Sequence, residues 1–249
     1  MKHYGLVCVS LMLALCVCLP LSAQPNAKSV ETILIDNFDV PANQDFSWGV
    51  QASKSVYVNE EKNEVYPKMG YFAGIPNSLQ VYREEGDPEA QVLGVQVKFQ
   101  RKGNNWFEVY PQKKDESGEM KPYEVPFKGI VNQIDFWVWG ANYLYYLDVL
   151  VRDANGRVHV LSAANLNFHG WKNVVVNIPG WIPQRSRLRS GPKTMNFVGF
   201  RIRTDPKEYV DDFMIYFDQL RYASNTLSNV YDGFKLQDTD FSKASGGTN

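Results

Sequence analysis

From Val92 onward, apolar residues recur at every second position in short runs separated by polar turns. Side chains in an extended chain alternate between two faces, so this period marks strands with one face buried. Val95, Val97 and Phe99 share one face of a strand over 92–100, and a further strand follows over 106–110 after the turn Lys102-Gly103-Asn104-Asn105. Over 134–139, Ile134, Phe136 and Val138 fall on one face and Trp137 and Trp139 on the other. The run 144–151 is apolar throughout except at Asp148, the pattern of a strand covered on both faces or central in a sheet. Asp153-Ala154-Asn155-Gly156 closes a hairpin on to a strand over 158–161, since Asn-Gly supplies the positive φ that tight hairpin turns need. Val174, Val176 and Ile178 give one face of a strand over 171–178, and 197–203 and 213–222 complete the series. No long amphipathic helix interrupts it. Strands in this succession predict an all-β, antiparallel sandwich.

Two segments break the alternation. Leu6 to Leu19 is uniformly apolar, follows Lys2 and His3, and gives way to Leu21-Ser22-Ala23 before Gln24. That order reads as a secretory leader, residues 1–23, removed after Ala23. A retained anchor is the alternative, as is lipidation at Cys16, although Leu13-Ala14-Leu15 fits a lipoprotein cut site poorly. The segment 223–249 is polar and ends Ser-Gly-Gly-Thr-Asn, with Tyr231, Phe234 and Phe241 as spaced apolar anchors. Between them, 24–222 is expected to form a single domain, long enough for a substantial core. Lys113 to Lys121 is charged and polar, the composition of an exposed loop tip.

Cys8, Cys16 and Cys18 all fall in the leader, so the exported chain is expected to have neither disulfides nor thiol chemistry. Losing Lys2 with the leader takes the formal charge from −1 to −2, which does not call for nucleic acid or an anionic membrane as partner. No later apolar run reaches membrane-spanning length.

Catalytic chemistry finds little material. His159 and His169 are the histidines left after the leader. His159 sits in an alternating strand, where an outward polar residue is the plainer reading, and ten residues between two histidines without cysteine do not make a zinc site. The acidic pairs Glu60-Glu61 and Asp211-Asp212 are adjacent in sequence, whereas a glycosidase holds two carboxylates across a cleft. Asp36 and Asp218, near opposite ends of the predicted domain, are weak candidates for a structural calcium ion; the alternative is hydrogen bonding at strand ends. Trp137, Trp139 and Tyr145 are candidates for stacking on sugar rings, against the alternative that these rings are core. Arg185, Arg187, Arg189 and Lys193 share a loop with Gly191-Pro192 and could meet an acidic protein surface, or be a solvated loop.

Several longer stretches carry a family likeness. They are LIDNFD (34–39), YLDVLVRDANGRVHVL (146–161), LNFHGWKNVVVNIPGWIPQ (166–184), MNFVGFRIRTDP (195–206) and DDFMIYFDQLRY (211–222). In this order the chain resembles the outer-layer, or sheath, proteins of the spirochaete periplasmic flagellar filament, the FlaA type, from about Ile33 to Tyr222. The resemblance implies a jelly-roll sandwich similar to galactose-binding and carbohydrate-binding-module domains. It also implies a periplasmic, non-enzymatic structural protein without cofactor, whose partners are flagellin core subunits and other sheath proteins. The loop from Arg185 to Lys193 and the tail anchors Tyr231, Phe234 and Phe241 are the candidate contacts. An exported glycan-binding module is the alternative. Within 166–184, 173–178 reads as a core strand entered through Gly170-Trp171, with Trp171 or Trp181 expected to pack on the core.

Overall fold

A computed structural model describes residues 30–41, 44–62, 64–186 and 194–225. In chain order the strands are β1 (Val30–Asp36), β2 (Ser47–Ala52), β3 (Val58–Asn59), β4 (Glu64–Val65), β5 (Lys68–Ala73), β6 (Gln91–Val97), β7 (Trp106–Lys114) and β8 (Met120–Pro122). They continue with β9 (Val125–Pro126), β10 (Ile130–Ala141), β11 (Tyr145–Arg152), β12 (Val158–Asn165), β13 (His169–Asn177), β14 (Asn196–Thr204) and β15 (Phe213–Asn225). One short helix, α1 (Asn77–Gln80), lies in the connection from β5 to β6.

The strands form an antiparallel sandwich. One sheet runs β13-β10-β15-β6-β5, with β1 also on β15; the other runs β12-β11-β14-β7-β2, with β8 on β7 and β9 on β14. Its core is aromatic. Phe200 from β14 stacks on Phe217 from β15 at 4.6 Å between centroids and meets Phe136 from β10 at 4.8 Å. Val95, Val97, Phe107, Ile134, Val138, Val174 and Val176 fill the same layer, as their alternation predicts.

β15 joins the first sheet together. One edge pairs with β10; the other pairs with β6 over Phe213–Phe217 and with β1 over Leu220–Asn225. The change of partner falls at a bulge, where β10 advances from Asp135 to Trp137 while β15 passes from Arg221 to Asp218. Gln219 takes a φ of 51° there, the left-handed geometry that such an inserted residue uses. β15 continues to Asn225, three residues into the segment expected as a tail; the rest of that segment and the expected leader lie outside the described residues.

At the far end of β15, Gly129 has a φ of 75°, and a Cβ there would stand 2.5 Å from Ser224 Oγ and 2.7 Å from the Asn225 carbonyl oxygen. Gly129→Ala is therefore expected to cost about 1–3 kcal/mol in urea denaturation. A loss below about 0.5 kcal/mol would mean that this turn is not held against β15.

Two local readings change. The hairpin at Asp153 uses positive φ at Gly156 and not at Asn155, because Asp153 Oδ1 accepts the backbone N–H groups of both Asn155 (2.8 Å) and Arg157 (2.9 Å) and holds a wider turn. The expected loop tip at 113–121 is narrower. β7 and β8 pair up to Lys114 and Met120, and Asp115 holds the remaining turn through Ser117 and Glu119. The Lys121 ammonium, 2.5 Å away, leads the interactions that hold the Asp115 carboxyl down at about 2.

Candidate functional site

The outer face of the first sheet carries the most distinctive surface among the described residues. Phe136 and Val138 point inward on β10, so Trp137 and Trp139 point outward. Register then places Trp171, Trp139, Tyr216, Gly94 and Gly70 directly opposite one another across β13, β10, β15, β6 and β5. Trp139 meets Tyr216 edge-on at 5.5 Å, and Phe72 meets the same Tyr216 at 6.0 Å. Gly94 makes room for this band, since a Cβ there would lie 2.7 Å from both the Phe72 and the Tyr216 ring. Phe72 is 52% exposed, so the band reaches solvent.

Beside the band, one residue row along, lies a cleft of about 690 Å³. Trp137, Asn173, Gln219 and Arg221 come from its strands, and Asn37 and Asp39 from the turn after β1. Leu79, Tyr82 and Arg83 come from the arch that holds α1. Arg83 anchors this arch. Its guanidinium meets Asp39 Oδ2 at 2.9 Å and also donates to the Pro88 carbonyl. Asp39 Oδ1 in turn accepts the backbone N–H of Gln91 at 3.0 Å, so one carboxylate ties the middle of the arch and its β6 end to the turn. Arg221 pairs with Asp135 at 2.5 Å, so both arginines of the cleft carry a carboxylate partner.

Under the cleft are buried acids. Asp36 accepts hydrogen bonds from Trp48 Nε1 (2.8 Å), the Phe38 backbone N–H (2.7 Å) and Gln44 Nε2 (3.0 Å). Burial still raises its carboxyl above the usual range, against these bonds. Asp218 is pushed up to about 7, chiefly by burial, with Asp39 and Asp36 adding repulsion and Arg83 and the Gln219 amide opposing it. Its Oδ1 and Nε1 of Trp137, on directly paired residues, are both buried without a hydrogen-bond partner among the described residues. Each such group costs about 1–3 kcal/mol. Among the described residues no three His, Cys, Asp or Glu side chains converge as a metal site would require.

The expected stacking residues separate. Trp137 lies in the cleft and Trp139 in the band. Tyr145 is fully buried, which corrects its reading as a glycan contact: its ring stacks on Phe213 at 4.3 Å and its hydroxyl donates to the Tyr209 carbonyl at 2.8 Å. Neither tryptophan of 166–184 joins the core, contrary to expectation. Trp171 stands on the outer face opposite Trp139, and Trp181 is 69% exposed at the edge of His159. His159 is buried and not outward, because Asp153 from the hairpin meets its Nε2 at 2.7 Å. Arg185 is exposed and bridges to Thr194 across the base of its loop. Arg187, Arg189, Lys193, Tyr231, Phe234 and Phe241 lie outside the described residues.

Comparison with known proteins places this architecture. The profile of the family described as flagellar filament outer layer protein FlaA matches residues 38–230. The chain belongs to this family. Among its FlaA relatives, a flagellar filament outer layer-like protein of Brachyspira hyodysenteriae is 30% identical over 151 residues, which are 61% of this chain and 65% of the relative. The flagellar filament outer layer protein of Treponema pallidum is 32% identical over 115 residues, 42% of this chain and 33% of the relative. The FlaA match thus spans less than two thirds of either relative's length. A solved structure of carbohydrate-binding modules of the β-sandwich superfamily is similar in fold, with a TM-score of 0.44 and 10% identity over 76% of this FlaA chain and 61% of the other.

Proposed function

We propose that the protein is a structural subunit of the outer layer of a periplasmic flagellar filament. It would be exported by its leader and laid on a flagellin core beside other sheath proteins. The observation that carries this reading is the family match over 38–230, which takes in nearly all of the sandwich. The reading involves no catalytic step and no cofactor. A rigid sandwich repeated along a helical core adds material far from the filament axis, and so changes stiffness and shape and hence motility. Many modest contacts then act together, so no single interface need be strong.

The loop bearing Arg185, Arg187, Arg189 and Lys193 and the anchors Tyr231, Phe234 and Phe241 are proposed as the contacts, one electrostatic and one apolar. The test is co-sedimentation of the protein lacking residues 1–23 with isolated periplasmic filaments across a salt series. Saturable binding is expected, weakening several-fold between low and high salt because exposed charges are screened within about 10 Å at 0.1 M salt. A chain ending at Asn225 is expected to bind about tenfold more weakly; equal binding would remove the tail from the interface. Absence of binding at every salt concentration would remove the filament reading itself.

A further inference from the structure

We infer that the cleft between the α1 arch and the outer face of the first sheet binds a neutral carbohydrate chain, with the neighbouring aromatic band as its extension. This goes beyond the filament role and does not depend on it.

The chemistry of the lining selects the ligand. At about 690 Å³ the cleft has the size of a small-ligand pocket, and it is closed on one side by an arch that an ion pair holds in place. Its polar groups are planar and short: Asn173 and Gln219 each carry both a donor and an acceptor, which matches the paired hydroxyls of a sugar ring, while the Asn37 amide is bonded to Asp39 within its turn. Trp137 on the floor and Tyr82 on the arch add flat apolar faces, and Tyr82 is 79% exposed. A sugar has the complementary arrangement of apolar ring faces and a polar edge.

Charge narrows the class. Arg83 and Arg221 would suit a phosphate or carboxylate if they stood alone, but each is already matched by Asp39 or Asp135. Asp87, whose Oδ2 accepts the Glu84 backbone N–H, adds a further carboxylate to the lining, so an anion is disfavoured and a neutral ligand enters without displacing an ion pair. A protein surface is the rival occupant. The centre of a protein interface is depleted of charged groups, whereas this cleft places Asp39, Arg83 and Arg221 around Trp137.

Past Trp137, the same face continues through Trp139, flanked by Trp171 and Tyr216, towards Phe72. Residues two apart on one strand face lie about 7 Å apart, so a chain that begins on Trp137 reaches Trp139 with its next unit. The proposed ligand is therefore an oligosaccharide of several residues, and a single sugar should bind far more weakly.

The test uses the protein lacking residues 1–23, with intrinsic tryptophan fluorescence and calorimetry against neutral oligosaccharides of four to six residues in gluco, manno, galacto and N-acetylglucosamine series. At least one series is expected to bind saturably, with affinity unchanged by salt. Tyr82→Ala and Asn173→Ala, both at the cleft and outside the core, are each expected to weaken that binding about five- to tenfold with unchanged thermal stability. Trp181→Ala, on the far edge, should leave it unchanged. Silence across all four series would overturn the proposal, as would binding that ignores both cleft variants. If sugars fail while Tyr82→Ala weakens filament co-sedimentation, the cleft is a protein contact: the carbohydrate inference falls and the filament reading stands.

Discussion

Phe200→Ala is expected to lower the stability of the sandwich by about 3–5 kcal/mol, read as a fall in the urea midpoint. Phe200 is fully buried on β14 and touches rings from both layers: Phe217 at 4.6 Å, Phe136 at 4.8 Å, Phe197 at 5.3 Å and Trp48 at 6.2 Å. Those neighbours are themselves pinned. Trp48 is held by its bond to Asp36, Phe136 by its pairing with Val174 on β13, and Phe217 by its pairing with Val138 on β10. The space left by the ring therefore cannot close, and an unfilled cavity puts the loss towards the upper end of the range. Val81→Ala on the exposed arch is the control and should stay within about 0.5 kcal/mol. A loss under about 1 kcal/mol at Phe200 would show that the two sheets are held together elsewhere.

The second large effect concerns pH. A carboxyl raised from 3.8 to about 7 favours the folded state when protonated. Asp218 thus contributes stability that is fully present below pH 3.8 and is lost as pH rises through about 7. The full swing is about 4 kcal/mol, taking 1.36 kcal/mol for each pH unit. Asp36 is raised too, so it works in the same direction. Asp115 and Asp153 are lowered, so their contributions are lost only as pH falls below the ordinary carboxylate range. The wild type is therefore expected to melt at a lower temperature at pH 8 than at pH 5. Asp218→Asn cannot ionise and should flatten most of that difference. A wild-type melting temperature that is equal at the two pH values, or higher at pH 8, would show that Asp218 is not held as a buried acid.

The sequence told inner from outer faces wherever alternation was clean. Val174, Val176 and Ile178 turn inward, so Trp171 at odd parity turns outward beside Trp139. The expectation that Trp171 or Trp181 packs on the core fails at Trp171 because of this parity and at Trp181 because that ring is 69% exposed beyond the strand. The same parity in β15, with Phe213, Ile215 and Phe217 inward, puts Tyr216 on the band. Tyr145 misled for the opposite reason. β11 is central between β12 and β14, buried on both faces, and such a run has no parity to read. The cleft was not legible at all. Arg83 and Tyr82 lie on an irregular arch whose position is set by Asp39, forty-four residues upstream in the case of Arg83. Local spacing holds no record of such a contact. Asp36 and Asp218, weak calcium candidates by sequence, are both raised chiefly by burial, with the Asp36 charge a lesser addition at Asp218.

The place of β15 has a consequence for how the molecule comes into being. It is the last of the described strands, yet it lies in the middle of its sheet, between β10 on one side and β6 and β1 on the other. A chain growing from its N-terminus can pair β5 with β6, and β10 with β13, but these two ribbons have nothing to join them until residues 213–225 exist. Contacts between the first and last strands close the longest loop in the domain and make for slow folding. The first sheet is thus closed in one late step, by a strand that enters between ribbons already able to form, while the second sheet, which does not contain β15, can be complete before it.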